Sequence, residues 1–82
     1  MESVTLKLRL QHPTDTDDHI LVFLLSTMLS QDFLRKVVLS SVKKKTLVEM
    51  VMDADIIFLV QVRLQLLLES RHIWNRMMFL VQ

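Results

Sequence analysis

The 82-residue chain contains no glycine, no cysteine and no tyrosine, and only one proline. Without cysteine there is neither a disulfide framework nor thiolate chemistry. Without glycine there is no phosphate-cradling P-loop, no dinucleotide fingerprint and no glycine-flanked nucleophile elbow. No serine, histidine and carboxylate can be grouped into a catalytic set from their spacing, and the chain reads as non-enzymatic. No apolar run reaches the length of a membrane span. "ILVFLLSTML" is about half of one, and "IIFLVQVRLQLLL" is interrupted by Arg63 and two glutamines. The N-terminus does not read as a signal peptide. These absences fit a cytoplasmic protein with no membrane contact.

Metal sites are not expected either. His12, His19 and His72 are scattered and have no partners at zinc spacing. "DTDDH" (15–19) lacks the glycine and trailing glutamate of a calcium loop, and serves helix capping better. No cofactor is implied.

Apolar residues are abundant. Hydrophobic residues make up 51% of the chain, more than so short a chain can hide in its own core. A homodimer or larger oligomer would bury the excess. The net charge is +1 but unevenly spread. Lys7, Arg9, Arg35, Lys36 and Lys43–Lys45 make residues 3–45 mildly basic, which suits an anionic partner.

"VTLKLRL" (4–10) alternates strictly, with Val4, Leu6, Leu8 and Leu10 on one face and Thr5, Lys7 and Arg9 on the other. This predicts a half-buried strand. "HPTDTDD" is then a loop and helix start, with Thr16 or Asp17 as N-cap. "HILVFLLSTML" reads as a buried helix over about 17–29, since it is apolar on nearly every side. Ser30 reads as the cap of a second helix running to about Lys44, with Leu34, Val37, Val38 and Val42 as its apolar stripe. "TLVEMVM" reads as a short helix. Residues 55–80 read as a longer one with a break near Ser70–His72, because Gln61, Gln65, Glu69, His72 and Arg76 form one polar stripe. The six methionines read as core filling, and Trp74 as a packing anchor. The expected fold is therefore mainly α with one N-terminal strand.

That strand needs a partner. A tight in-chain turn ordinarily uses Gly or Asn at positive φ, and neither is at hand. A crossover could bring "VQVRLQL" alongside. The simpler expectation is pairing between subunits, strand to identical strand, in a two-fold dimer.

A strand followed by two helices, dimerising through the strand, resembles the ribbon-helix-helix family of Arc- and MetJ-type repressors. "VTLKLRL" matches the ribbon, residues 17–29 the first helix, and "SQDFLRKVVLSSVKKK" the turn and second helix. The long polar loop and C-terminal extension are similar to ParR-type partition adaptors. The chain then divides into a core at 3–45 and a helical extension at 46–82 for dimerisation or protein docking, within a single domain. The resemblance implies a DNA-binding homodimer, a transcriptional repressor or partition adaptor with its β-ribbon in the major groove. Thr5, Lys7 and Arg9 would contact bases, and Ser30, Gln31, Arg35 and Lys36 a phosphate at the second helix start. Two departures stand out: the turn "LSQ" lacks the family's Gly or Asn, and Asp32 would repel a phosphate. The competing expectation is a protein–protein interaction module, such as a chaperone, inhibitor or viral adaptor, that binds no nucleic acid. It rests on the apolar content of 46–82.

Overall fold

The computed structural model describes residues 2–43 and 45–81. Strand β1 (Ser3–Leu10) leads to helix α1 (Asp15–Ser30), then to strands β2 (Lys36–Val42) and β3 (Lys45–Asp53). A 3₁₀ turn (Ala54–Ile56), helix α2 (Ile57–Glu69), a second 3₁₀ turn (Trp74–Arg76) and strand β4 (Met77–Val81) complete the chain. The strands form one sheet in the order β2-β3-β1-β4, every neighbouring pair antiparallel. This order of elements and strands is the split-βαβ, or ferredoxin-like, arrangement.

The fold is α/β and corrects the expectation of a mainly helical chain. The predicted strand is present, and Leu6, Leu8 and Leu10 are buried as the alternation requires. Its partners lie within the chain. β1 is central, with β3 on one edge (Leu6↔Met50, Leu8↔Val48) and β4 on the other (Leu8↔Phe79). β3 bonds β1 along its whole length and β4 bonds its other edge from Leu6 to Leu10, so β1 is an inner strand of the chain's own sheet and not an intersubunit ribbon. The sheet takes strands from 3–45 and 46–82 alike, so no separate ribbon-helix-helix core and helical extension exist.

Helix α1 matches the expectation closely, but its N-cap is Thr14. The Thr14 hydroxyl accepts from the Asp17 N–H (3.1 Å), and the Asp17 carboxylate accepts from the Thr14 N–H (3.2 Å). This reciprocal box satisfies two otherwise orphaned donors and fixes the start of the helix. The expected second helix is instead the end of the first, followed by a strand. The N–H of Asp32 bonds the Leu29 carbonyl, and that of Phe33 bonds the Met28 carbonyl, with Asp32 at φ 61°. That pair of bonds is the Schellman ending of a helix. Beyond it, Val37, Val38 and Val42 are β-branched and build β2.

The remaining helical expectations are corrected in the same way. "TLVEMVM" is the body of β3, where Thr46, Val48, Met50 and Met52 are buried and Leu47, Glu49 and Val51 face the other way. Helix α2 stops at the break expected near Ser70–His72. Here the His72 N–H bonds the Glu69 carbonyl and the Ile73 N–H bonds the Leu68 carbonyl, with His72 at φ 60°. After this second Schellman ending the chain turns and returns as β4, in place of continued helix.

Both helices pack on one face of the sheet. Leu21, Leu24, Leu25 and Met28 of α1 and Val60, Leu64 and Leu68 of α2 meet the inward side chains of β1 and β3. Met28, Met50 and Met52 fill this core as expected of methionine, whereas Met78 is exposed. Among the described residues, no helix covers the opposite face of the sheet.

Candidate functional site

The register places each predicted base-contact residue on the open face of the sheet. Thr5, Lys7 and Arg9 lie opposite Val51, Glu49 and Leu47 of β3. On the outer strands the same face carries Lys36 and Val38 of β2, and Met78 and Leu80 of β4. Lys7 is half-buried and lies opposite Glu49 in the strand register, so opposite charges share this part of the face. Arg9 is exposed and joins Lys43, Lys45, Val42 and Leu47 around a depression of about 390 Å³. The face is thus mixed: basic at one corner, apolar at its flanks, and without an aromatic ring on which a base could stack.

The predicted phosphate residues are not brought to a helix N-terminus. Ser30 closes α1, and its hydroxyl donates to the Thr27 carbonyl (2.8 Å). The Gln31 N–H is taken by the Met28 carbonyl (3.2 Å). Both sit at the negative end of the α1 dipole, which disfavours an anion. Lys36 begins β2 and is exposed. Arg35 forks onto Asp53, with Nη2 at 2.8 Å and Nε at 3.4 Å from the two carboxylate oxygens. That hydrogen bond, reinforced by the guanidinium charge, holds the Asp53 carboxyl below its ordinary value and Arg35 above its own. The pair straps the start of β2 to the end of β3, a structural task.

A second surface lies on the helix exteriors; apolar content at 46–82 points to its α2 part, whereas the α1 part reads as buried in sequence. α1 and α2 each bury one stripe and expose another that is also apolar. Phe23 is 67% exposed, Phe58 75% and Leu66 67%, with Val22, Leu29, Leu59 and Val62 around them. The signal was visible in "HILVFLLSTML" and "IIFLVQVRLQLLL", apolar on nearly every side. Such helices are normally covered all round, and here the sheet covers only one side. Between α2 and the β4 edge, Phe58, Gln61, Val62 and Gln65 face Trp74 and Phe79 across a groove of about 300 Å³. Trp74 and Phe79 form its floor, their ring centroids 4.6 Å apart at 50°. Its hydrogen-bonding side chains among the described residues are the amides of Gln61 and Gln65 and the indole N–H of Trp74.

Among the described residues no three His, Asp or Glu side chains come close enough to hold a metal ion. Two further polar contacts are structural. Thr46 is buried and donates to Asp18 (2.7 Å), and Arg63 lies over the Phe33 ring at 5.4 Å from its centroid. Among the described residues, no helix is long and apolar enough to cross a membrane. Comparison with protein-family models, with curated proteins and with solved structures finds no match.

Proposed function

We propose that this chain is a homo-oligomeric protein-interaction module with no catalytic role. The observation that carries this reading is the exposed apolar surface of α1 and α2. Phe23, Phe58 and Leu66 are each at least two-thirds exposed and sit beside further aliphatic side chains. Single exposed apolar residues are ordinary, whereas clusters that bring several together mark contact surfaces. The mixed character of the open sheet face supports the same reading. A four-stranded sheet is too broad for the major groove, which admits a helix or a two-stranded ribbon.

The test is sedimentation of the full chain at micromolar concentration. An oligomer with no monomer boundary is the expected result. A well-folded monomer would overturn the reading, because it would show that the apolar surface tolerates water unaided.

One observation favours a second reading, an anionic partner on the sheet. Arg9, Lys43 and Lys45 converge on one depression with no acidic side chain in its lining. Duplex DNA binding that weakens steeply with salt would support it.

A further inference from the structure

We propose that two copies of this chain join through β2, edge to edge, to form a continuous eight-stranded sheet. This rests on the oligomeric reading above and places one contact at the β2 edge and the adjoining Val22–Leu29 stripe of α1, apart from Phe58 and Leu66 on α2. β2 ends the sheet, and only one of its two backbone edges is bonded, to β3. Its other edge presents free N–H and C=O groups, a template for a further strand. Natural edges are commonly protected by a charge, a proline or a bulge in mid-strand. β2 has none of these from Val37 to Val42, where it reads "VVLSSV".

The side chains of β2 are as open as its backbone. Its core-facing residues Val37 and Leu39 pair with the buried Met50 and Val48. Leu39 is nevertheless 38% exposed, because no helix reaches beyond it. It borders a depression of about 220 Å³ shared with Val22, Leu25, Ser26 and Leu29 of α1 and Val37 of β2. A strand added at this edge would seat alternate side chains in that depression.

A second copy of β2 suits the position. Antiparallel pairing of the whole seven-residue strand sets Leu39 on the two-fold axis, opposite its own copy. Val37 then meets Ser41, Val38 meets Ser40, and Lys36 meets Val42. No charge faces a like charge within the strand, and the strand is self-complementary in that register. Paired residues share a face, so the helices of both copies lie on the same side of the joined sheet. The two α1 helices then flank the seam with Val22, Ser26 and Leu29, a single stripe at helical spacing. Ser26 keeps the middle of that stripe small, and its hydroxyl is already bonded to the Val22 carbonyl (2.7 Å), so covering it strands no donor.

The chain lacks cysteine, so single-cysteine variants of the full-length protein report one position each. Leu39→Cys places two thiols opposite each other at a separation a disulfide can span. Mild oxidation should convert it to a covalent dimer, while Met78→Cys on β4 at the opposite edge stays uncoupled. Leu39→Lys sets two ammonium groups together and should sediment as a folded monomer. Its partly exposed position lets the single copy fold, which circular dichroism checks. An oligomeric wild type in which Leu39→Cys stays reduced, or Met78→Cys couples as well, overturns the β2 interface and leaves the oligomeric reading standing. A monomeric wild type overturns that reading itself.

Discussion

Arg76 grips Asp17 with both terminal nitrogens, at 3.0 and 3.1 Å from the two carboxylate oxygens. The two residues are far apart in sequence. One lies in the first turn of α1 and the other just before β4, so the contact locks the last strand to the first helix. Asp17 is buried and also completes the capping box with Thr14. Its carboxylate therefore serves a helix end, an ion pair and the placement of an edge strand together.

Asp17→Ala should cost about 2–3 kcal/mol in urea unfolding, since it removes the box and leaves Arg76 half-buried without its partner. Thr14→Ala removes only the cap and should cost about 1 kcal/mol. Equal losses for the two would mean that the Arg76 contact adds nothing.

The four described residues at positive φ are His12, Asp32, Lys43 and His72, and none is glycine. Two of them end helices. A non-glycine residue there carries a steric penalty of about 1–2 kcal/mol, less for Asp, whose short polar side chain suits that region. His72→Gly should therefore raise stability by up to about 1 kcal/mol after the added freedom of the unfolded chain is subtracted. His72→Ala should give no gain. Asp32→Gly should gain less than His72→Gly. Chemical denaturation of the three variants checks the order.

The two faces of β1 give a sharp contrast. Leu8 is fully buried, and Leu8→Lys places an unpaired charge among leucines and methionines, which should unfold the protein. Lys7→Ala should cost roughly 0.5 kcal/mol or a little more, as it loses only the Glu49 pair across the strands. Thermal melts followed by circular dichroism would separate them; equal effects would contradict the observed face assignment.

These positions also show what the sequence made legible and why the rest was hidden. β1 was readable because one face is wholly apolar and the other wholly polar. The first helix was readable because capping residues precede a run too long for a strand. β3 was hidden because Leu47 and Val51 make its outer face partly apolar as well, which erases the alternation. The hairpin between β2 and β3 was hidden because Lys43, not glycine, takes the positive φ of 53°. In β2, Val37, Val38 and Val42 happen to fit helical spacing, but three β-branched residues favour a strand. The polar stripe from Gln61 to Glu69 did mark α2, and its extension to Arg76 was a coincidence of spacing across a chain reversal. Of the candidate site, Thr5, Lys7 and Arg9 were placed on a common face correctly. The helix around Phe23 reads as buried and the apolar content around Phe58 as a docking extension, because nothing local tells a covered helix from an uncovered one.

Acid should loosen the strap between β2 and β3. Arg35 holds the Asp53 carboxyl below its ordinary value. A carboxyl that is more acidic folded than unfolded stabilises the fold above the unfolded value of about 4, and that contribution fades as pH falls through the lower folded value. Asp53→Asn should therefore flatten the acid limb of the stability curve below about pH 4 and leave its pH dependence near neutrality unchanged. An acid limb identical to that of the wild type would show the pair to be energetically silent, as many exposed pairs are.

The final test separates protein interaction from DNA binding at the open sheet face. Arg9, Lys43 and Lys45 would contribute one phosphate contact each, while Lys7 lies opposite the acidic Glu49 in the strand register. Neutralising about three phosphates gives a log–log salt slope no steeper than about −3 on duplex DNA. Binding of that kind is sequence-independent and should be weak at physiological salt. Replacing Arg9 and Lys45 together by alanine should flatten the slope by about 2 and act alike on every sequence. Neither change lies on β2 or on the helix exteriors, so the sedimentation profile should not move. Gel shifts across a salt series on random and selected duplexes, with sedimentation in parallel, measure all of this. A salt-resistant complex with one sequence, lost on Arg9→Ala, would show that the face reads bases and would displace the protein-interaction reading.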